Sequence, residues 1–249
     1  MTPESARLSL HSASADECGF ALQRIGAVDE TRKSGFGNPW PWFELLIRPN
    51  RHYFSGSPGA FINKLYAERM PEVTDSEVLA RAVAWLVGQS QPTRLSINVH
   101  PQSLTRARFL AQAMEAQGKV VEVGHSLCLE LVEFGECPER SLLARSAQRL
   151  RDAGLLIALD DFGTRLNFFD MCAEGVVDLI KVDASVVRGV GEDRYRQAIV
   201  QSIKTLAQGI DAKVIAEGVE TTHELESLSG LGVDYAQGYL YHRPEIAEI

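Results

Sequence analysis

Cysteine is scarce in this chain: there are four in 249 residues, Cys18, Cys128, Cys137 and Cys172, far apart and never in a Cys-x-x-Cys pair. That spacing argues against a disulfide framework and against a zinc knuckle, so the thiols are expected to be reduced and mostly to pack. Long apolar runs are missing as well. No stretch approaches the roughly 20 residues that span a bilayer, and the opening MTPESARLSLHSASADE holds no apolar run of signal-peptide length. No membrane anchor is expected, and the cytoplasm is the expected compartment. Basic charge is in deficit, with 25 Lys and Arg against 33 Asp and Glu and a formal net charge of −8. Such a surface has no basic field for a nucleic-acid backbone, which argues against duplex DNA or RNA as a partner.

The chain does have a repeated alternation of short β-branched runs and amphipathic stretches. Runs read ALQRIGAV, WFELLIR, RLSINV, LCLELVE, LLIALDD, VDLIKVD, KVIAEGVE and VDYAQGY. Helical patterns at 58–69, 76–89, 103–117, 139–153, 193–209 and 221–231 separate most of them. In the fifth, Tyr195, Ile199, Ile203 and Leu206 recur at three and four residues, the spacing of a helix laid on a sheet. Glycines at 118, 154 and 232 read as helix stops. About eight strands in 249 residues, 45% of them hydrophobic, predict one closed α/β barrel over residues 17–249 behind a flexible arm at 1–16. The loop at 30–39 is too short for a crossover helix, so the first two strands are predicted to be antiparallel neighbours.

Seven polar residues, Glu44, Asn98, Glu130, Asp160, Asp161, Lys181 and Glu217, fall in these runs where strands should reach a common rim, and Gln237 marks a further strand end. Alone, Asp160 and Asp161 in LDDFG read as the start of a loop. Their company changes that reading. Carboxylates that converge after nearly every strand repel one another unless something multivalent and positive lies between them, and a pair of divalent metal ions is the simplest candidate. Hard oxygen donors suit Mg²⁺ or Mn²⁺ better than zinc, and His100 alone reads as a packing or surface residue. Lys181 could snorkel to solvent; beside a metal cluster it would orient or deprotonate a water, with Asp183 two residues on to hold that lysine or a metal-bound water. Glu217 and Glu220 flank a glycine, where Glu220 also suits a helix N-terminus.

In order and spacing, ELLIR from Glu44, NVHP from Asn98, ELVE from Glu130 to Glu133, DDFGT from Asp160, IKVD to Asp183, AEGVE to Glu220, and QGYL from Gln237 with Arg243 and Pro244 resemble the signature of EAL domains. The resemblance runs from about Gln23 to Pro244. It implies a modified TIM (β/α)₈ barrel with an antiparallel opening strand pair and hydrolysis of cyclic di-GMP to linear 5′-pGpG with two Mg²⁺ or Mn²⁺ ions. By that resemblance Glu44, Asn98, Glu130, Asp160, Asp161 and Glu217 look like metal ligands, with Asp183 beside them. Lys181 and Glu217 would serve the attacking water, Glu133 would hold the loop after the fifth strand, and Gln23, Arg48, Glu220 and Gln237 would contact substrate. A homodimer is the assembly the family suggests. No PAS, GGDEF or receiver segment is expected before the barrel, so an input signal is expected from expression, oligomerisation or a partner.

The chain departs from the family in DDFGTRLNFFD, where Arg165 replaces a usual glycine, and at Val132 and His100, where threonine and serine are common. Phe168 and Phe169 are predicted to be buried, and Arg165 to pair with a carboxylate such as Glu133. Two other readings stand beside the phosphodiesterase: a catalytically silent EAL module that binds cyclic di-GMP or a protein partner, and an unrelated metal-dependent barrel hydrolase.

Overall fold

A computed structural model of the protein describes residues 18–29, 40–50, 54–132, 138–163 and 168–248. The expected arm at 1–16, the loop at 30–39, Glu133 and Arg165 lie outside the described residues. Strands β1 (Cys18–Ala27) and β2 (Trp42–Pro49) are antiparallel, with Gln23 opposite Glu44. From β2 the sheet runs parallel through β3 (Arg94–Val99), β4 (Ser126–Leu131), β5 (Leu156–Phe162), β6 (Leu179–Val182), β7 (Lys213–Ala216) and β8 (Tyr235–Gln237). β8 then pairs antiparallel with β1, so the eight strands close, and β9 (Glu245–Ala247) adds to β1 at Phe20–Leu22. This is the modified barrel expected from the sequence.

Around it lie α1 (Pro58–Glu68), α2 (Pro71–Val87), α3 (Pro101–Leu104), α4 (Ala107–Glu122), α5 (Arg140–Asp152), α6 (Phe169–Ala173), α7 (Ala184–Val187), α8 (Arg194–Gly209) and α9 (Thr222–Gly230). Several differ from expectation for identifiable reasons. α2 begins at Pro71, five residues early, because proline is favourable in a first turn. The pattern at 103–117 is two helices, and the second runs through Gly118 to Glu122, so Gly118 is no stop. On α8 the buried stripe is Val200, Ile203, Lys204 and Ala207, while Tyr195 is 67% and Ile199 44% exposed. The face is rotated because Lys204 turns inward to Asp234, which an apolar pattern cannot reveal. Phe168 is buried, but Phe169 is 46% exposed, its ring 5.1 Å from that of Phe162.

Strand alternation sorts the interior into two cores. Outward residues such as Leu45, Ile97, Leu129, Ile157, Ile180 and Val214 pack against the helices in a large ring. Inward, Ile25, Trp42, Cys128, Ala158, Leu179, Ile215 and Tyr235 form a separate plug inside the barrel. Trp42 floors it, edge-on to Tyr235 at 5.1 Å, under the Arg94 guanidinium at 4.8 Å, and donating from Nε1 to Ser96 Oγ at 2.9 Å.

Two aspartates brace the barrel through strand N-termini. Asp178 accepts the Ile157 N–H at 2.9 Å and pairs with Arg151 at 2.9 Å; Asp234 accepts the Val214 N–H at 2.9 Å and pairs with Lys204 at 2.5 Å. Each ties the start of a strand to the helix that precedes it. Asp178→Ala leaves Arg151 and the Ile157 amide without this acceptor and is expected to cost about 1–3 kcal/mol in urea unfolding. An unchanged midpoint would show that the brace contributes nothing.

Candidate active site

Every plug residue has a polar residue two positions along its strand, on the same inward face and one layer nearer the mouth. The pairs are Trp42 and Glu44, Cys128 and Glu130, Ala158 and Asp160, Leu179 and Lys181, Ile215 and Glu217, Tyr235 and Gln237; on the reversed β1, Ile25 precedes the mouth and Gln23 reaches it. Alternation therefore builds the site as the next layer above an apolar plug. Glu44 departs from the expected strand end: it is the third residue of an eight-residue strand, since β2 continues to Pro49 along β1.

At the centre is Lys181, 1% exposed. Its Nζ lies 2.6 Å from Glu130, 2.8 Å from Glu217, 2.9 Å from Asp160 and 3.4 Å from Glu44. Burial by itself would push the ammonium down, but Asp160, Glu130, Glu217 and Glu44 hold it well above its ordinary value. One positive charge does not neutralise four carboxylates. Glu44 stays ionised, below its ordinary value despite burial, because Lys181 attracts it and Asn98 and Gln237 each donate to it at 2.7 Å. Glu130 is pushed up to about 8, by burial first and then by Glu44 and Asp160. Asp160 and Glu217 are raised for the same reasons.

Successive strand residues point to opposite faces, so adjacent aspartates should not both face inward. Here the β5–β6 register shifts between Leu159 and Phe162, and Asp161 takes φ 53°. The bulge turns its carboxylate back toward the mouth, in the left-handed region that Asp tolerates better than most residues. Carboxylate oxygens of Asp160, Asp161 and Glu217 lie within 4.8 Å of one another. Burial lifts Asp161 to about 7, helped by Asp160 and Asp183. Asp183 does not hold Lys181 among the described contacts: it caps α7 through the Ser185 N–H at 2.8 Å and stands beside Asp161.

A cleft of about 320 Å³ opens over this layer, lined by Gln23, Glu44, Arg48, Arg188, Glu217 and Tyr239 among others. Gln23 donates to the His242 carbonyl at 3.1 Å and accepts from Gln237, whose side chain is almost wholly buried. Glu220 faces Arg188 across 3.4 Å, while the α9 capping box is made by Thr221 and Glu224 instead. Tyr239 carries the Arg243 guanidinium on its ring at 4.3 Å. Arg188 and Tyr239 are among the lining residues that sequence reasoning did not single out; both lie outside the strands. Gly238 has no room for a side chain: a Cβ there would overlap the Val219 backbone.

The residues present fit divalent cations. All donors are hard oxygens, three carboxylates converge, and Glu130 Oε1 is buried with no hydrogen-bond partner. Glu44, Asn98, Glu130, Asp160, Asp161 and Glu217 are brought together as expected, and Glu133 lies outside the described residues.

The EAL domain family matches residues 44–244, and the chain belongs to that family. It is 31% identical over 196 residues to the cyclic di-GMP phosphodiesterase PdeB of Shewanella oneidensis, covering 76% of this chain and 22% of that one. The calcium and cyclic di-GMP complex of Klebsiella pneumoniae BlrP1 superposes with a TM-score of 0.72 at 29% identity, over 94% of this chain and 57% of that one. A standalone EAL protein of Vibrio cholerae in its c-di-GMP bound form gives 0.73 at 21% identity, over 92% and 93%. The chain spans 22% to 33% of the length of the first curated relatives it matches. Among the described residues no helix is long and apolar enough to cross a membrane.

The carboxyl shifts set a pH dependence in chelator. Glu130 and Asp161, raised to about 8 and about 7, stabilise the fold while protonated, and that contribution is lost as pH rises through those values. The thermal midpoint of the metal-free protein should therefore fall between pH 5 and 8, and saturating Mg²⁺ should flatten the trend; Glu44 acts below this window. Scanning calorimetry that showed a midpoint rising with pH would contradict this electrostatic account.

Proposed function

We propose that this chain hydrolyses cyclic di-GMP to linear 5′-pGpG, with residues 17–249 acting as one catalytic unit. The observation that carries the reading is the convergence of Glu44, Glu130, Asp160 and Glu217 on Lys181 in the mouth of the barrel. Glu44, Asn98, Glu130, Asp160, Asp161 and Glu217, with Asp183 at the edge, would hold two Mg²⁺ or Mn²⁺ ions. When bound, such ions supply positive charge to an acidic site and stabilise charge on the attacked phosphate.

The chain's own groups supply the rest. Water attacks phosphorus, the bond to the ribose 3′ oxygen breaks, and the phosphate remains on the 5′ side of the product. The attacking water must lose a proton and the leaving oxygen must gain one. Glu217, 2.8 Å from Lys181 Nζ, is assigned to accept the first on the family resemblance, in the ionised form that bound cations would favour. Lys181, held protonated, orients the water against it. Arg48 reaches the same cleft, where a guanidinium gives a phosphate oxygen a directed donor. Gln23, Gln237 and Glu220 are assigned to substrate contact, and Glu133 to holding the loop after β5, on the family resemblance.

Purified protein with Mg²⁺ is expected to convert cyclic di-GMP to pGpG, read by product chromatography. Lys181→Ala and Glu217→Ala should each lower turnover about 100-fold or more while calorimetry still detects the dinucleotide. No turnover in the parent with retained binding would replace this reading by that of a binding module.

A further inference from the structure

One buried acid stands outside the site described above. Asp75, in the first half of α2, is 1% exposed. Its Oδ1 accepts the Tyr66 hydroxyl of α1 at 2.8 Å, and its Oδ2 accepts the His100 backbone N–H at 2.9 Å. Burial lifts this carboxyl to about 7 even though the Ser103 hydroxyl, the His100 N–H and the Tyr66 hydroxyl oppose the shift. Holding it in the fold therefore costs stability near neutral pH, and α2 would pack without it if packing were its only role.

The contact it makes falls at a sensitive place. His100 is buried, ends the β3 run and caps α3, its Nδ1 accepting the Gln102 N–H at 3.1 Å, while the Tyr66 ring meets its imidazole edge-on at 5.2 Å. Two residues earlier, Asn98 donates to Glu44 at 2.7 Å. A strand end is free to shift by fractions of an ångström unless something outside the sheet fixes it, and a metal site tolerates little of that.

We propose that Asp75 is a positioning residue for the metal centre: by clamping the His100 amide to α2 it fixes the β3–α3 turn and so the place of Asn98 beside Glu44. The inference rests on the metal-site reading above and concerns cation affinity, so it is testable whether or not the chain turns over cyclic di-GMP. Asp75→Asn keeps an oxygen for the His100 N–H and an amide that can donate to the Tyr66 oxygen. Asp75→Ala removes both links.

The experiment is a Mn²⁺ titration of the full chain, following free Mn²⁺ by electron paramagnetic resonance, with thermal midpoints measured alongside. Asp75→Ala is expected to bind Mn²⁺ about 10-fold more weakly or worse, the scale of loss when an outer partner of a ligand is removed. Asp75→Asn should stay within about threefold of the parent. Asp178→Ala, a destabilised control away from the metal layer, should keep the parent affinity. If Asp75→Ala does not fold, Asp75→Ser takes its place with the same two outcomes. Parent-like Mn²⁺ affinity in the Ala or Ser variant, or an equal loss in Asp178→Ala, overturns the proposal by reducing Asp75 to a packing contribution. A parent that binds no Mn²⁺ at all would instead remove the metal-site reading on which the proposal rests.

Discussion

A single ammonium enclosed by four carboxylates is the constraint around which the mouth of this barrel is organised. Lys181 and Glu130 are almost wholly buried, so neither can be satisfied by water. Their attraction, acting where solvent screens little, fixes the two strands that carry them. The imbalance of one cation against four acids has a second effect. It leaves the layer short of positive charge, so that repulsion among the acids adds to burial in raising Glu130, Asp160 and Glu217. The rigidity of this layer and its surplus of negative charge thus have the same electrostatic origin.

The plug gives that layer its support. Because strand side chains alternate, an apolar plug residue two positions away supports Gln23, Glu44, Glu130, Asp160, Lys181, Glu217 and Gln237 from below, and Trp42, Leu179 and Tyr235 define the floor on which Glu44, Lys181 and Gln237 stand. The reversed β1 belongs to this scheme. Running antiparallel to both neighbours, it places Gln23 opposite Glu44 and Ile25 opposite Gln237, so one strand adds an amide to the site and an apolar side chain to the plug.

Much of this was legible in the sequence because alternation writes both layers into the strands. In LCLEL and LIKV the inward residue switches from apolar to charged within a single strand, and that switch is the signal of the rim. Legibility failed where a side chain's direction depends on a partner remote in sequence. Lys204 turned in to Asp234 rotates the face of α8, and Asp75 falls just before the helical pattern at 76–89 with no signal of its own, although it reaches the end of β3. Arg188 and Tyr239 were invisible for a different reason: residues in turns carry no periodicity, so only the closed barrel brings them to the cleft. The exposure of Phe169 reflects a similar limit, since an aromatic pair in sequence need not share a face, and only Phe168 enters the core.

The site divides into a part held by strands and a part held by turns. Glu44, Glu130 and Lys181 lie within strands, buried, over the plug. Asp161, Asp183, Glu220 and Arg188 lie at bulges or in turns, more exposed, and Asp161 carries a backbone conformation that costs energy for any residue with a side chain. The chain's main departures from the family pattern, Arg165 to Phe169, follow directly on this second part, and the ring of Phe169 leans on Phe162, the residue after Asp161. A change in that segment reaches the mouth through Asp161 and its bulge, whereas Glu44, Glu130 and Lys181 are fixed from below by Trp42, Cys128 and Leu179. Its effect should therefore fall on the geometry around Asp161, leaving the Lys181 centre in place.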